Sequence, residues 1–440
     1  TWTCLASQTR ARPSYCAGAP PLKVAVVGTG ISGLVAARKL HREHDITVFE
    51  ASDRIGGHTN TVDVETPSGP LAVDTGFIVF NQRTYPNFCK LLGELNVDWQ
   101  ESHMSFSARC ESTGLEYNGT DMNGLFAQRS NLVRPAFWRM VRDILRFYRE
   151  APAVLKRPDD DTTLGEYLER GGYSRMFIEK HLIPMGGAVW SATPATMRSF
   201  PLRFLVQFFH NHGFLQVDDR PQWLVVKGGS REYVKPLVEP FRDCIRLGTP
   251  IIRVERNSSG VRLHSTHGDE GYFDRVVLAT HADTSLRMLV DATPREKAIL
   301  RAFKFQTNEA VLHTDSSLMP RRRRAWASWN YHITDPQGGP GPPAVTYWMN
   351  QLQGLPGKTP YFVTLNRSSA IAPEKVLRRF QYEHPIFSTK TVHAQRRHAE
   401  IDGVHRVHFC GAYWRYGFHE DGVQSAMAVL KNLNCMDLVQ

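Results

Sequence analysis

Gly28-Thr29-Gly30-Ile31-Ser32-Gly33 stands between a short apolar run and a segment with helical spacing. That glycine spacing suits a backbone approaching a pyrophosphate. Gly28 permits a tight turn, Gly30 leaves room for phosphate, and Gly33 lets the helix pack against the strand. A helix opening at Ile31 and Ser32 offers free N–H groups and a partial positive charge to phosphate oxygens. Glu50 follows 22 positions after Gly28, at the end of a second apolar run, where a carboxylate accepts hydrogen bonds from ribose hydroxyls. Together these residues point to a bound dinucleotide.

The continuation separates FAD from NAD. Glu50-Ala51-Ser52-Asp53-Arg54-Ile55-Gly56-Gly57-His58 fits E-A-x-x-R-x-G-G and resembles the flavin amine-oxidase superfamily, which includes monoamine oxidases, protoporphyrinogen oxidases and phytoene desaturases. The resemblance implies FAD, with Arg54, Gly56 and Gly57 against its pyrophosphate and ribityl chain and Ala51, His58 and Thr59 beside them. Asp74-Thr75-Gly76-Phe77 resembles the family's segment next to the flavin, which implies contacts from Gly76 and Phe77. Lys227–Ser230 resembles the return into the cofactor domain, Thr249–Val254 the strand that meets adenine through Ile251, and Arg275–Thr280 the next buried strand. His408–Ala412 followed by Gly422-Val423 resembles a strand and helix whose first N–H groups face the flavin N1–C2=O edge. By that likeness Gly411, Ala412, Gly422 and Val423 join the cofactor site. Ala412 departs from the family, which often places Asp or Glu there.

TGFIVFNQRTYPN (Thr75–Asn87), RPQWLVVKGGS (Arg220–Ser230) and GAYWRYGFHEDG (Gly411–Gly422) are similar to a narrower branch. Its members are flavoproteins associated with cyclopropane-fatty-acid synthases and the N-terminal half of plant cyclopropane synthases. The branch implies an apolar substrate, namely a lipid acyl chain, and a lipid-modifying methyltransferase as partner, its methyltransferase half not being part of this sequence.

A flavin takes a hydride from substrate carbon, so the protein must orient a C–H bond and manage a proton. Tyr413–Asp421 precedes the helix expected at Gly422, which makes His419 the candidate general base or proton relay and Tyr416 a flank of the substrate. The same two side chains would serve equally as supports of the loop. Three functions fit: oxidation of a lipid or other apolar substrate, oxidation of an amine, and a non-catalytic flavin-binding accessory to a lipid-modifying enzyme. The 18 histidines lack ligand spacing and the seven cysteines form no CxxC, so neither a metal site nor a disulfide framework is expected.

These residues need elements to hold them. Leu22–Val27 and Ile46–Glu50 read as strands and Ile31–Glu43 as the helix between, one β-α-β unit. Ala136–Glu150 reads as an amphipathic helix with Phe137, Val141, Ile144 and Tyr148 opposite four arginines, suited to the protein core or to a lipid headgroup layer. Ser199–Val217 carries Phe200, Phe204, Phe208, Phe209 and Phe214, which would fill a core or line an acyl channel. Glu309–Thr314, Ala325–Tyr331, Ala344–Asn350 and Tyr361–Leu365 read as strands of one sheet, with a turn at Gln337–Pro343. Nucleotide-binding patterns resume at Lys227–Ala282 and Val407–Leu430.

The expected fold is therefore α/β: a Rossmann-like FAD-binding domain of discontinuous segments with an inserted α+β substrate domain. The cofactor segments are 22–115, 225–300 and 396–440. The substrate domain takes a helical part, 116–224, and a sheet part, 301–395. Residues 1–21 read as a disordered extension or a transit-like leader. A net charge of +10 favours acidic partners, including a membrane surface, while no zinc or RNA-binding signature supports nucleic acid. Scattered cysteines suggest a reducing, cytoplasmic setting, peripheral to a membrane at most. Arg321–Arg324 would touch lipid phosphate or cap an exposed loop.

Overall fold

The computed structural model describes residues 20–157, 161–334 and 343–433. The leader reading of residues 1–21 falls almost wholly outside them, as does most of the Gln337–Pro343 turn.

Two sheets organise the chain. The cofactor sheet has five parallel strands in the order Ile245–Arg246, Asp45–Phe49, Lys23–Val27, Arg275–Leu278, Val407–Phe409. Its central strand reads KVAVV, and Val24, Ala25 and Val26 are fully buried. An apolar run of β-branched residues is what a parallel strand covered on both faces requires. Helix Ile31–Leu40 packs on one side beside the C-terminal helix His419–Asn432. The three-stranded antiparallel sheet Ile251–Arg256, Val261–Ser265, Gly268–Phe273 shares its core with the other side.

The second sheet has seven strands: Val376–Ile386, Lys304–His313, Phe362–Leu365, Ala344–Trp348, Trp329–Ile333, Phe106–Cys110, Glu116–Asn118. Every pairing is antiparallel except the parallel one between Trp329–Ile333 and Phe106–Cys110. The N-terminal part of the chain thus supplies two strands to this sheet. Two expected strands are corrected. Residues 325–328 lead into a strand that starts only at Trp329, because Asn330 Oδ1 accepts from Ala327 N and turns the backbone. The strand from Ala344 ends at Trp348, where Met349–Gln353 winds into a helix.

The helical part is built around aromatic rings. Helix Leu202–Asn211 buries Phe204, Phe208 and Phe209, and the Trp190 ring lies 4.7 Å from Phe200 and 4.8 Å from Phe208. These rings fill a core. Helix Pro135–Glu150 buries Phe137, Met140 and Phe147, and leaves Trp138 and Leu145 about half exposed. Among the described residues no helix is long and apolar enough to cross a membrane.

Candidate cofactor and substrate site

The strand Lys23–Val27 delivers the glycine loop. Gly28 has φ 106°, and a Cβ there would stand 2.7 Å from the Ala279 carbonyl oxygen. A Cβ on Gly33 would fall 2.0 Å from the Gly28 carbonyl oxygen, so helix and loop touch there. Gly30 differs: its φ is −65°, and a Cβ would meet nothing within 4 Å. The helix that starts at Ile31 and Ser32 has no side-chain cap. An open space in front of an uncapped helix N-terminus fits an anionic group held by backbone N–H.

Glu50 borders this space. Its Oε2 accepts from Thr29 N at 2.9 Å and its Oε1 from Ser52 N at 2.9 Å, which fixes the carboxylate at the strand end. Ala51 is exposed beside it. Gly248 N donates to the Ser52 carbonyl and Thr249 N to the Glu50 carbonyl, bringing Ile251 to the same edge. Arg54 donates to the carbonyls of Thr59 (3.1 Å) and Gly57 (2.6 Å), and a Cβ on Gly57 would be 3.0 Å from Gly30 Cα. Gly56 has φ 120°. The two glycine loops therefore lie against each other. Gly76 packs as tightly on the His58 carbonyl, 2.1 Å from where its Cβ would be, and Phe77 N donates to that oxygen.

The C-terminal segment meets this cradle from the other side. Strand Val407–Phe409 leads to Gly411, whose N–H donates to Ser425 Oγ at 3.0 Å, and Ala412 begins a short turn. A Cβ on Gly422 would lie 2.6 Å from Ile31 Cγ2 and 3.0 Å from Ser32 Oγ. The first turns of the two helices are thus in contact, with Val423 buried behind them. Glu420 caps a third helix, Pro86–Glu94, by accepting from Phe88 N at 2.9 Å and Asn87 Nδ2 at 2.5 Å.

His419 and Tyr416 lie away from the loop expected over the flavin. The helix begins at His419, three residues before Gly422, because Asp421 reaches back to Phe418 N at 2.9 Å. Burial holds the Asp421 carboxyl at about 7. His419 is therefore a helix residue and not part of a loop over the flavin. Its Nε2 lies 3.0 Å from Thr59 Oγ1 and 3.1 Å from Tyr233 OH, and its ring stacks on Phe77 at 3.5 Å. Burial pushes its pKa down to about 3. A ring whose Nε2 is engaged and whose face is covered by Phe77 is placed to support the site, the second of the two roles expected of it. Tyr416 turns into the helical part, 4.6 Å from the Phe204 ring, and lines a cavity of about 220 Å³ with Arg203, Gln207 and Arg396.

A polar group that sequence spacing did not reveal faces the cradle from the seven-stranded sheet. The register pairs Gln306 with His384 and Asn308 with Tyr382, placing all four on one face. His384 Nδ1 lies 2.9 Å from Ser191 Oγ and 3.2 Å from Asn308 Nδ2. The His58 ring stands 5.2 Å from Tyr382 and 5.5 Å from His384, and His58 Nε2 is buried without a hydrogen-bond partner in the protein. Burial lowers His384 to about 4 and His58 well below its ordinary range, so both are neutral. Farther along the same face Phe106, Trp329 and Tyr347 are half-buried, the last two between two apolar cores and Phe106 against one of them. The alternation Gln306, Asn308, Ala310, Leu312 on one strand was the available signal: one face passes from polar to apolar.

Asp74 ties the parts together. It is fully buried and accepts from Thr61 Oγ1, Ser230 N, Ser230 Oγ and Gln353 Nε2, and burial raises its pKa to about 6.

The chain is 24% identical over 308 residues to an L-amino-acid oxidase of Mus musculus, an alignment covering 65% of this chain and 46% of that protein. It is 23% identical over 270 residues to an L-amino acid dehydrogenase of Synechocystis, covering 58% of this chain and 55% of the relative. The chain thus spans about half the length of these relatives. Cyclohexylamine oxidase from Brevibacterium oxydans superposes with a TM-score of 0.68 at 18% identity, covering 94% of this chain and all of that one. A CLA-producing fatty acid isomerase from P. acnes superposes at 0.67 with 13% identity, covering 93% and 98%. Both show the same fold. Residues 31–366 match the family described as flavin containing amine oxidoreductase. With that match spanning most of the chain, and with glycine loops and paired helix ends that fit FAD, the chain belongs to the flavin containing amine oxidoreductases.

Proposed function

We propose that this chain is an FAD-dependent oxidoreductase that dehydrogenates an uncharged, apolar substrate, a fatty acyl chain or another lipid. The observation that carries this reading is the neutral polar group formed by His58, His384 and Asn308 beside an aromatic wall. A buried His58 Nε2 without a protein partner costs stability unless a ligand satisfies it. Neutral imidazoles suit an uncharged partner better than an amino-acid carboxylate, which calls for a cation.

Bound FAD supplies the two-electron acceptor for a hydride leaving substrate carbon. Gly30, Ile31 and Ser32 would hold its pyrophosphate through backbone N–H, with Glu50 at the ribose and Ile251 near the adenine. Phe106, Trp329 and Tyr347 would exclude water and orient the apolar part of the substrate. His58, whose Nε2 has no partner in the protein, would relay the proton that leaves with the hydride, its lowered basicity keeping it from retaining the charge.

Oxidation of an amine is the second reading, favoured by the oxidases of amines and amino acids among the similar proteins. On the leading reading, a lipid-modifying methyltransferase is the fitting partner. Anaerobic mixing of the FAD-loaded protein with fatty-acyl and amine panels tests the proposal through bleaching of the flavin. Bleaching by acyl substrates supports it. Bleaching by amines alone replaces it with the second reading, and none by either would leave the accessory role.

A further inference from the structure

We infer that one face of the helical part docks on an anionic lipid bilayer. The face is made by the short helix Met122–Leu125, the turn Arg129–Val133, the start of helix Pro135–Glu150 and the turn Arg323–Ala325, which lies beside Met122–Leu125. The inference is independent of what the site oxidises.

Of eleven large apolar side chains exposed among the described residues, five lie between residues 122 and 145. They are Met122 (64% exposed), Leu132 (48%), Val133 (83%), Trp138 (45%) and Leu145 (50%). Such clustering marks a contact surface, whereas scattered exposure needs no explanation. The apolar tip is also held in shape. Trp138 Nε1 donates to the Leu132 carbonyl at 2.8 Å, and its ring lies 5.1 Å from Phe126, so Leu132 and Val133 project from a fixed turn.

Cations surround the tip. Arg134, Arg139, Arg142 and Arg149 are exposed on the helix, and Arg321 to Arg324 are exposed across from it. Two arginine groups far apart in sequence thereby converge on one surface. Nearby acids take two of these arginines, Glu116 pairing with Arg322 and Glu150 with Arg149, while Arg134, Arg139, Arg142, Arg321 and Arg324 form no ion pair among the described residues. The other acids are engaged away from them: Asp121 caps Met122–Leu125 through Gly124 N, Asp143 is buried against Ser174 N, and Glu150 also takes Arg146. A rigid apolar tip in a ring of arginines matches the boundary between acyl chains and anionic headgroups, where each basic residue contributes by attraction to the charged leaflet.

Co-sedimentation of the FAD-loaded chain with vesicles tests this. Vesicles of phosphatidylcholine and phosphatidylglycerol in equal parts should bind it, and vesicles of phosphatidylcholine alone should not. Arg321→Gln with Arg324→Gln should weaken binding about fivefold for each arginine removed. Leu132→Glu with Val133→Glu should abolish it, and Val290→Glu, exposed elsewhere, should leave it unchanged. Retained flavin absorbance establishes that each variant is folded. Failure of the parent to sediment with the anionic vesicles would overturn the inference. So would equal binding to both vesicle types, or binding by the folded arginine or apolar-tip variants at the parent's level.

Discussion

His419 and Phe77 lie ring on ring, 3.5 Å between centroids and 13° from parallel. One belongs to the last described helix and the other to the segment that packs on His58. The stack therefore joins the two ends of the cofactor site.

His419→Gln should weaken this joint without changing the chemistry. The amide loses the stack and cannot reproduce both contacts of Nε2 with Thr59 and Tyr233. Loss of buried hydrogen bonding costs about 1–3 kcal/mol. The expected result is a lower Tm and faster FAD loss, with an unchanged rate of flavin reduction in the loaded fraction. A reduction rate lowered a hundredfold with stability intact would restore the general-base role.

The three glycines of the first loop should separate in mutagenesis. Gly30 has an extended backbone that any residue adopts and open space at its Cβ, so Gly30→Val leaves the apoprotein folded and removes FAD binding. Gly33→Val drives a side chain into the Gly28 carbonyl and should prevent folding. Thermal melts of the apoproteins, read beside flavin absorbance after reconstitution, check both. Equal melts for the two variants would contradict the assignment.

Asp74→Ala should destabilise the protein by about 1–3 kcal/mol or more, because several donors lose one acceptor in a buried setting. Urea denaturation measures it. A change below about 0.5 kcal/mol would mean that water replaces the carboxylate.

Acid should destabilise the folded state well before its carboxylates are all protonated. His181, His212, His313, His332, His384 and His419 are lowered from 6.5 to between about 3 and about 4, each mainly by burial, and His58 is lowered too. The unfolded chain takes up protons at these groups below pH 6.5 while the folded one does not, so stability falls as pH drops from 6.5 towards 4. Asp74 and Asp421 act the other way: raised from 3.8 to about 6 and about 7, they favour the folded state at low pH and withdraw that support as pH rises through this window. Seven histidines outnumber two carboxyls, and each net proton is worth about 1.4 kcal/mol per pH unit. Denaturation midpoints should fall steeply between pH 6.5 and 4.5, and a flat profile there would refute the buried neutral histidines.

The cofactor sheet was readable because its signals are local. KVAVV before Gly28 and RVVL before Ala279 need only apolar runs and turns to declare themselves. The start of the last helix was not readable. Its N-cap position holds Phe418, which lacks the usual capping oxygen, and the cap comes from Asp421 three residues on. Gln306, Asn308 and His384 were invisible as a group because 76 residues separate Asn308 from the His384 it touches. Only the strand register brings them together.

The cofactor sheet carries a consequence for how the chain is made. Its central strand, Val24–Val27, pairs with Arg275–Leu278, and its edge waits for Val407–Phe409. During synthesis the first β-α-β unit leaves the ribosome with one flank of its first strand unpaired until about 225 further residues have followed. Pairings so distant in sequence form slowly, and an apolar strand waiting for its neighbour is exposed to aggregation. The N-terminal segment should therefore resist expression as an independent fragment, and the whole chain should depend on chaperones at the stage when its nucleotide loop already exists but has no sheet to rest on.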